Sequence, residues 1–355
     1  MPWIDALFHK MVEVGASDLH MTTAEVPKFR LDGSIVDVTG VPEMTAEQMK
    51  HVLDEITPEQ NRAQFESDGD TDFAYELAQL ARFRANRFRD RKGPGAVFRQ
   101  IPHEILTAEQ LGLPPAILGL CQLSKGLVLV TGPTGSGKST TLAAMVDHVN
   151  KTRADHIITI EDPIEFVHQN QRCLINQREV HRHTESFKRA LRAALREDPD
   201  IVLVGEMRDL ETVEIAIETA ETGHLVFGTL HTTTAASTVD RIIDQFSADR
   251  QAQIRTMLAA SLKGVIAQTL CKKKGGGRVA ALEILLSNTA IASSIREGKT
   301  HQLTSMMQMG GKVGMRLLND SLIEVVRDGR VEPREAYLKC VDKADMLRKF
   351  EELGV

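Results

Sequence analysis

The residues best suited to chemistry lie in one glycine-rich segment near the middle of the chain. It follows a run of apolar residues and reads Gly132, Pro133, Thr134, Gly135, Ser136, Gly137, Lys138, Ser139 and Thr140. Glycines let backbone N–H groups curl around phosphates, and the helix predicted to follow adds positive potential at its N-terminus. Lys138 is expected to reach the β- and γ-phosphates, and the Ser139 hydroxyl to ligate Mg²⁺. The segment therefore predicts a site for ATP and Mg²⁺.

A second apolar run ends in an acid, which is the pattern of a Walker B strand. Residues 201–204 (IVLV) are followed by Gly205 and Glu206. A core strand of this kind delivers a carboxylate beside the metal ion. Because Gly205 stands where an aspartate is usual, Glu206 must serve the metal shell, the attacking water, or both. A solvated acid at the end of a buried strand is the simpler alternative.

Three carboxylates crowd the end of another predicted strand, at residues 157–160. They are Glu161, Asp162 and Glu165. Like charges so close together repel one another unless a cation is near, so a Mg²⁺ site explains their density. Glu161 therefore joins Ser139 and Glu206 as a predicted metal ligand. An ordinary acidic loop is the alternative.

Two histidines bracket a further apolar run, at residues 225–230. His224 precedes the run and His231 follows it, ahead of three threonines. A polar end on a core strand can sense the γ-phosphate of a nucleotide. A lone histidine is more often structural, but two that flank one strand favour a functional role.

Arginines are concentrated in one part of the first hundred residues. Arg82 and Arg84 have the period-two spacing that places side chains on one face of a strand, and Arg99 lies in the next predicted strand. Guanidinium groups suit phosphate, which favours arginine fingers onto ATP or a nucleic-acid face over a merely solvated face. Phe83 is expected on the buried side. The parity of Phe88 predicts that the strand ends or bulges after Arg84.

Bulk composition is typical of a globular protein, with 42% hydrophobic and 26% charged residues and a formal net charge of −6. This balance argues against a globally basic nucleic-acid-binding protein. The four cysteines are scattered without a C-x-x-C pair, so reduced cytosolic thiols are expected rather than a zinc module. The sequence shows neither a signal peptide nor a run of about 18 apolar residues. A cytoplasmic protein without direct membrane insertion is therefore expected.

The pattern of elements predicts two domains of unequal size. Residues 1–100 are expected to form a small α+β domain, with a hairpin turn at Asp32-Gly33 and a helical capping box at Thr45. The proline-rich residues 101–115 are predicted to be a linker. Residues 116–355 alternate apolar strands with helices and end in a mainly helical part. The predicted fold class is therefore α/β with a parallel-rich sheet, preceded by a smaller α+β domain.

Five segments together resemble one known family, the secretion-type (type II/type IV) ATPases. They are residues 15–20 (GASDLH), the phosphate loop, residues 160–165 (IEDPIE), residues 204–209 (VGEMRD) and residues 222–231 with both histidines. The resemblance covers essentially the whole chain. In this family the acidic segment is called the Asp box and the histidine segment the His box. Glycine before the Walker B glutamate is usual there.

The resemblance implies a homohexameric ring whose subunits have a PAS-like N-terminal domain and a RecA-like ATPase domain, with ATP between them. It implies that Glu165 and Glu206 polarise water and that His224 and His231 are sensor or coupling residues. Arginines of the first domain would approach the phosphates, and the candidates are Arg82, Arg84 and Arg99. The implied partners are further copies of the chain, an inner-membrane pilus platform protein and, optionally, a paralogous pilus ATPase. Nucleic acid is not expected.

Two details bear on the branch of the family. Assembly and type II secretion members typically carry a tetracysteine zinc element, whereas only Cys271 lies near the equivalent hairpin, which favours a pilus-retraction motor at the inner face of the inner membrane. Retraction members often read Ala-Ile-Arg-Asn-Leu-Ile-Arg in the late helical region, where this chain has Ala292 in place of the first arginine and keeps Arg296. An accessory retraction paralogue and another secretion or assembly motor are therefore alternatives. A non-hydrolysing nucleotide-dependent regulator and a small-molecule kinase are alternatives of a different class.

Overall fold

The computed structural model describes residues 2–31, 33–78, 80–101 and 104–354. The chain divides into two compact units. The N-terminal unit comprises Met1–Glu104 together with Glu165–Val167, and the second unit comprises Ile105–Ile164 and His168–Val355. Asp32 of the predicted hairpin turn, and Pro102 and His103 of the predicted linker, lie outside the described residues. The domain limits predicted from the sequence stay predictions.

The described part of the N-terminal unit contains three helices and six strands. The helices are α1 (Ile4–Glu13), α2 (Ala46–Ile56) and α3 (Glu59–Asp68). The strands are β1 (Asp18–Thr22), β2 (Lys28–Leu31), β3 (Ser34–Asp37), β4 (Asp70–Leu77), β5 (Ala81–Asp90) and β6 (Gly93–Ile101). They form one antiparallel sheet in the order β3-β2-β1-β6-β5-β4. The predicted capping box at Thr45 is present at the start of α2.

One face of this sheet carries the apolar core of the unit. Helix α1 buries an apolar stripe that includes Ile4, Phe8 and Met11. The ring of Phe8 stacks on Phe83 of β5 with 4.1 Å between the ring centroids. Phe83 therefore lies on the buried side of its strand, as predicted, and the opposite face is left to polar side chains.

Strand β5 is unbroken, so the predicted end or bulge after Arg84 is wrong. The strand pairs continuously with β4 on one side and β6 on the other. Phe88 stays on the polar face because its ring lies across Gly95 of β6, where an added Cβ would be 2.8 Å from Phe88 Cζ. The absence of a side chain at Gly95 thus accommodates the aromatic ring.

The second unit alternates strands and helices before a helical C-terminal part. Its first elements are α4 (Ala108–Leu111), α5 (Pro115–Cys121), β7 (Gly126–Thr131), α6 (Lys138–Thr152), β8 (His156–Glu161), β9 (Leu174–Glu179), α7 (Phe187–Ala194), β10 (Ile201–Val204), α8 (Leu210–Glu221) and β11 (Leu225–Leu230). The next are α9 (Ala235–Asp244), α10 (Ala248–Ser261), β12 (Leu262–Lys272) and β13 (Arg278–Leu286). The last are α11 (Thr289–Arg296), α12 (Leu303–Met309), α13 (Leu318–Arg327), α14 (Pro333–Lys339) and α15 (Lys343–Leu353), with 3-10 turns at Thr300–Gln302 and Gly310–Val313.

The strands of this unit form one sheet in the order β13-β12-β7-β11-β10-β8-β9. All neighbours are parallel except β13, which returns antiparallel to β12. Alternate residues of the central strands face two separate apolar cores, so both faces of the sheet are covered. The carboxyl ends of the parallel strands meet at one edge, where such sheets bind ligands. Within the described ranges, no helix is both long and apolar enough to cross a membrane.

A buried carboxylate ties the sheet to two helices. Glu283 of β13 is 6% exposed, and its two oxygens accept hydrogen bonds from Ala235 N (2.7 Å) and Leu318 N (3.2 Å). These amides belong to the first turns of α9 and α13, where a helix leaves N–H groups without internal partners. Burial raises the pKa of Glu283, and the two hydrogen bonds oppose that rise without cancelling it.

Glu283→Ala is expected to lower the free energy of unfolding by about 2 kcal/mol, because two helix starts lose their acceptor at about 1 kcal/mol each. Urea unfolding followed by circular dichroism would measure the change. Glu297→Ala is the matched control, because this exposed acid pairs with the neighbouring Ser293 and Lys299 and should change stability far less than Glu283→Ala does. Equal losses in the two variants would contradict the capping role.

The pH dependence of this contribution has a defined sign. Because the pKa of Glu283 is raised in the folded chain, the Glu283 carboxylate binds a proton more tightly in the folded state than it does in the unfolded state. The free energy of unfolding must then fall as pH rises from the ordinary pKa through the raised one. Glu283→Gln removes the contribution, so the stability of the wild type relative to this variant should decrease as pH rises from the ordinary pKa of a glutamate through the raised one. A relative stability that increased over this range would contradict the assignment.

Candidate functional site

The phosphate loop connects β7 to α6 at the carboxyl edge of the sheet. Gly132, Gly135 and Gly137 have φ values of 146°, 78° and 88°, a backbone conformation that residues with a side chain rarely adopt. An added Cβ at Gly135 would meet open space. At Gly132 and Gly137 it would lie 2.4 and 2.9 Å from atoms of Gln268. The loop therefore packs closely against Gln268 at Gly132 and Gly137 and faces open space at Gly135.

Lys138 lies across this loop at the first position of α6. Its Nζ donates to the carbonyl oxygens of Gly132 (2.8 Å) and Pro133 (3.3 Å). Ser139 and Thr140 follow in the first helical turn and are half-buried, while Pro133 and Thr134 are exposed. A flexible ammonium group and the start of a long helix thus share one position, which is the arrangement that binds phosphate.

Glu206 and His231 meet at the same edge, where β10 and β11 end. The Nε2 of His231 lies 2.7 Å from Glu206 Oε1, and Arg208 Nε lies 2.5 Å from the same oxygen. Burial raises the pKa of Glu206, but the hydrogen bonds from Arg208 and His231 outweigh burial, so its pKa lies below the ordinary value. The carboxylate is therefore held ionised, as a group that orients water or a metal ion must be.

An open cavity of about 310 Å³ adjoins this pair. Its lining includes Arg241 of α9, Gln245 directly after that helix, and Glu206, Arg208 and His231. Arginine, glutamine and histidine all offer hydrogen-bond donors, so the cavity presents an environment suited to anionic groups beside the Glu206 carboxylate.

The structure supplies a steric reason for Gly205. The Gly205 N–H donates to Ile160 O at 2.7 Å, and an added Cβ would lie 3.2 Å from Glu161 Cα and 3.4 Å from Glu161 Cγ. A side chain at position 205 would crowd Glu161 on the neighbouring strand β8. Glu161 is itself held by Thr159 Oγ1 (2.6 Å) and Gln177 Nε2 (3.2 Å), both of which donate to its Oε1. Glu161 thus occupies the space next to Gly205.

The Asp box turns away from β8 directly after Glu161. The buried Glu179 of β9 accepts a hydrogen bond from Ile164 N at 3.1 Å, which anchors this turn. Asp162 is exposed, and Glu165 is half-buried and groups with the N-terminal unit. Sequence reasoning missed Glu179. Its only sign in the sequence is an acidic residue at the end of an ordinary strand, which is a weak indication of a functional role.

The two histidines of the His box lie at opposite ends of β11. His231 follows the strand and shares the edge of the phosphate loop. His224 precedes the strand, where its carbonyl accepts from Gly126 N at 3.0 Å, at the start of β7. Its ring nitrogen Nδ1 lies 3.2 Å from Thr219 O. Within one chain, therefore, His224 does not join Glu206, and its coupling role stays a prediction.

The three candidate arginines lie on the polar face of the N-terminal sheet. Arg84 and Arg99 are directly paired across β5 and β6, and Arg82 is two residues from Arg84 and mostly buried. Arg99 Nε donates to the buried Asp18 at 2.8 Å, and Arg30 Nε lies 3.7 Å from the same carboxylate. Asp18 belongs to the GASDLH segment, which thus organises the charges of this face.

Arg87 lies in the same arginine-rich segment but is not one of the three candidates, and it is fully buried on the opposite face of β5. Its guanidinium lies 4.0 Å from the centroid of the Phe65 ring and pairs with Asp54 at 2.7 Å. These contacts give Arg87 a structural role in packing α2 and α3 against the sheet.

The donor set fits a nucleotide with a magnesium ion that takes few protein ligands. The open space at Gly135, the start of α6 and Lys138 provide for phosphates. Across the described residues, no group of three or more His, Cys, Asp or Glu side chains is placed to hold a metal ion. Mg²⁺ at nucleotide sites is commonly bound through substrate phosphates and water with few protein ligands. The predicted ligands Ser139, Glu206 and Glu161 stay predictions.

A parallel sheet with a glycine-rich loop, a lysine and a carboxylate–histidine pair at one edge defines a P-loop nucleotide-binding α/β protein. The sequence model of the type II/IV secretion system protein family matches residues 1–276. The chain belongs to that family.

Individual relatives agree with this assignment. The chain is 52% identical over 326 residues to the type IV pilus retraction ATPase PilT of Pseudomonas aeruginosa, covering 92% of this chain and 94% of the relative. It is 39% identical over 351 residues to the type IV pilus ATPase PilU of the same organism, covering 99% and 91%. A crystal structure of the pilus retraction motor PilT with bound ADP superposes with a TM-score of 0.90 at 46% identity, covering 98% and 99% of the two chains.

The resemblance to secretion-type ATPases and the predicted α/β fold class are thereby confirmed. The ATPase prediction is confirmed as well, and nucleotide binding follows from it. The roles of individual residues stay predictions.

Proposed function

We propose that this chain is a Mg-ATP-hydrolysing motor that powers retraction of a type IV pilus. The retraction function predicted from the sequence agrees with the relative that is 52% identical over nearly its whole length. The observation that carries the proposal is the meeting of the Lys138 loop and the Glu206–His231 pair at one edge of one sheet. The motor would act as a homohexamer in the cytoplasm, at the inner face of the inner membrane, on a pilus platform protein.

The chemistry follows from the residues at this edge. Lys138 and the N–H groups of the loop bind the triphosphate, and Glu206 or Glu165 orients a water molecule. The water oxygen attacks the γ-phosphorus, the bond to the oxygen bridging the β-phosphate breaks, ADP leaves, and the proton passes to the carboxylate. His231 would act as a sensor of hydrolysis, because its Nε2 contacts the Oε1 of Glu206. A bound Mg²⁺, held by Ser139, Glu206 and Glu161, would neutralise charge on the phosphates.

Two further roles rest on the resemblance. Arg82, Arg84 and Arg99 would stabilise the phosphates as arginine fingers, and His224 would couple subunits of the ring. The pairing of Arg84 with Arg99 on one sheet face supports the first role, because it concentrates two guanidinium groups at one place.

Steady-state phosphate release by the purified chain, with Mg²⁺ and without any added acceptor, tests the enzymatic part. A motor ATPase should turn over continuously, whereas a regulator that only binds nucleotide would not. A kinase would transfer the γ-phosphoryl group to an acceptor and would not release phosphate steadily without one. Native mass spectrometry of the same preparation tests the homohexamer.

An accessory retraction ATPase is the second candidate, and Ala292 favours it. Ala292 of α11 packs half-buried against the apolar core, so this position lacks the guanidinium group that retraction members often have. A main motor should support retraction in a strain that lacks every paralogue. An accessory motor should support it only when its paralogue is present.

A further inference from the structure

Gln268 connects strand β12 to the phosphate loop. The sequence around it is apolar, and β12 runs parallel to β7 with Ala267 opposite Thr131, the residue before the loop. Gln268 is therefore the first residue of β12 beyond the end of β7. Its own carbonyl oxygen would lie 2.4 Å from a Cβ at Gly132, so the backbones of the loop and of β12 are in close contact.

The side-chain amide of Gln268 makes two hydrogen bonds to the loop and its helix. Nε2 donates to the Ser136 carbonyl oxygen at 2.6 Å, and Oε1 accepts from the Thr141 hydroxyl at 2.8 Å. Because a carbonyl can only accept, the first bond fixes which end of the amide faces Ser136. All three residues are 3% exposed, so water cannot replace either bond.

Because the peptide bond is planar and trans, the hydrogen bond to the Ser136 carbonyl also fixes the direction of the next N–H group in the loop. In such a peptide the C=O and N–H groups point in opposite directions. The peptide that joins Ser136 to Gly137 has its carbonyl directed at Gln268, so its N–H, which belongs to Gly137, points away from β12. The Gly137 amide is thereby directed toward the side of the loop that is not packed on the protein.

We propose that Gln268 is a positioning residue for the phosphate loop, which holds the Ser136–Gly137 peptide so that the Gly137 N–H faces the phosphate chain of the bound nucleotide. This inference rests on the proposed function as an ATPase and adds a residue that the nucleotide motifs do not contain. A purely structural role predicts a loss of stability alone. A positioning role predicts weaker nucleotide binding by the folded protein.

Gln268→Met in the full chain is the main test, with ADP as the probe. The dissociation constant for ADP, and KM for ATP, should both rise about tenfold, because binding of the phosphates is weakened equally before and during the reaction. The turnover number kcat should change by less than about threefold. Thr269→Val, at the next buried position of the same strand, is the control and should leave ADP affinity within about twofold.

A second readout needs no nucleotide. Hydrogen exchange of the Ser136 amide, which donates to Pro133 O at 3.1 Å within the loop, should be faster in Gln268→Met than in the wild type, since the loop is no longer anchored to β12. Thr141→Val removes only the bond that orients the amide, so it should raise the dissociation constant for ADP about threefold. Adding Thr141→Val to Gln268→Met should raise the dissociation constant for ADP little further, because both changes act on the same contact. Thr141→Val also carries the test if Gln268→Met does not fold.

Binding of ADP to the wild type and to the variants distinguishes a failure of this inference from a failure of the proposed function. If the wild type binds ADP and the folded Gln268→Met or Thr141→Val variants bind it equally well, the inference about Gln268 is overturned while the proposed function stands. If the wild type binds no ADP, the proposed function itself fails.

Discussion

Lys138→Ala is expected to lower kcat for ATP hydrolysis at least about a hundredfold, which is the usual cost of removing one group that stabilises the charge developing in a transition state. In the structure the Lys138 ammonium donates to two carbonyl oxygens of its own loop, so it already lies where the phosphates are expected. Alanine keeps the helix but leaves the phosphates without this charge. Steady-state phosphate release with saturating ATP measures the effect.

Lys151→Ala is the control for this experiment. Lys151 lies near the other end of the same helix and pairs with the buried Asp147 at 2.7 Å, so its loss should leave kcat within about twofold. Lys138→Ala protein that turned over ATP at the wild-type rate would show that the phosphate loop is not the hydrolytic site.

Glu206→Gln is the second large effect, with kcat reduced about 10² to 10³-fold and ATP affinity nearly retained. The neutral amide can no longer accept a proton from water, and it lacks the negative charge that now pairs with the Arg208 guanidinium. Binding is expected to survive because the loop that holds the phosphates is unchanged. Single-turnover hydrolysis and equilibrium binding of ATP separate these two quantities.

Glu211→Gln is the matched control, since this exposed acid at the start of α8 pairs with Lys188 away from the loop. Its turnover should equal that of the wild type. If Glu206→Gln kept its turnover and Glu165→Gln lost it, the water-orienting role would belong to the Asp box instead of to β10.

The sequence predicted the features of the site that depend on short-range order. Fewer than ten consecutive residues are enough to recognise the phosphate loop with its glycines and Lys138. The same holds for the strand that leads to Glu206. The arrangement of strands could not be predicted in the same way, because periodicity gives elements without their neighbours. The structure shows why Glu206 and His231 meet: β10 and β11 are adjacent and parallel.

The residues that sequence reasoning missed act over long range. Gln268 contacts a residue 132 positions away, and Glu283 contacts one 48 positions away. Their only local signal is a polar side chain in an apolar strand, which does not reveal the partner. Gly205 is the converse case. The sequence shows that Gly205 departs from the usual pattern, whereas the steric reason depends on β8 and β10 lying side by side.

Imaging of labelled pili on living cells tests the proposed motor. In a strain that lacks this gene we predict excess surface pili, no retraction events and no twitching motility, with all three restored by the wild-type gene but not by the Lys138→Ala gene. Cells without pili would instead point to an assembly motor, and normal retraction in the deletion strain would contradict a retraction function.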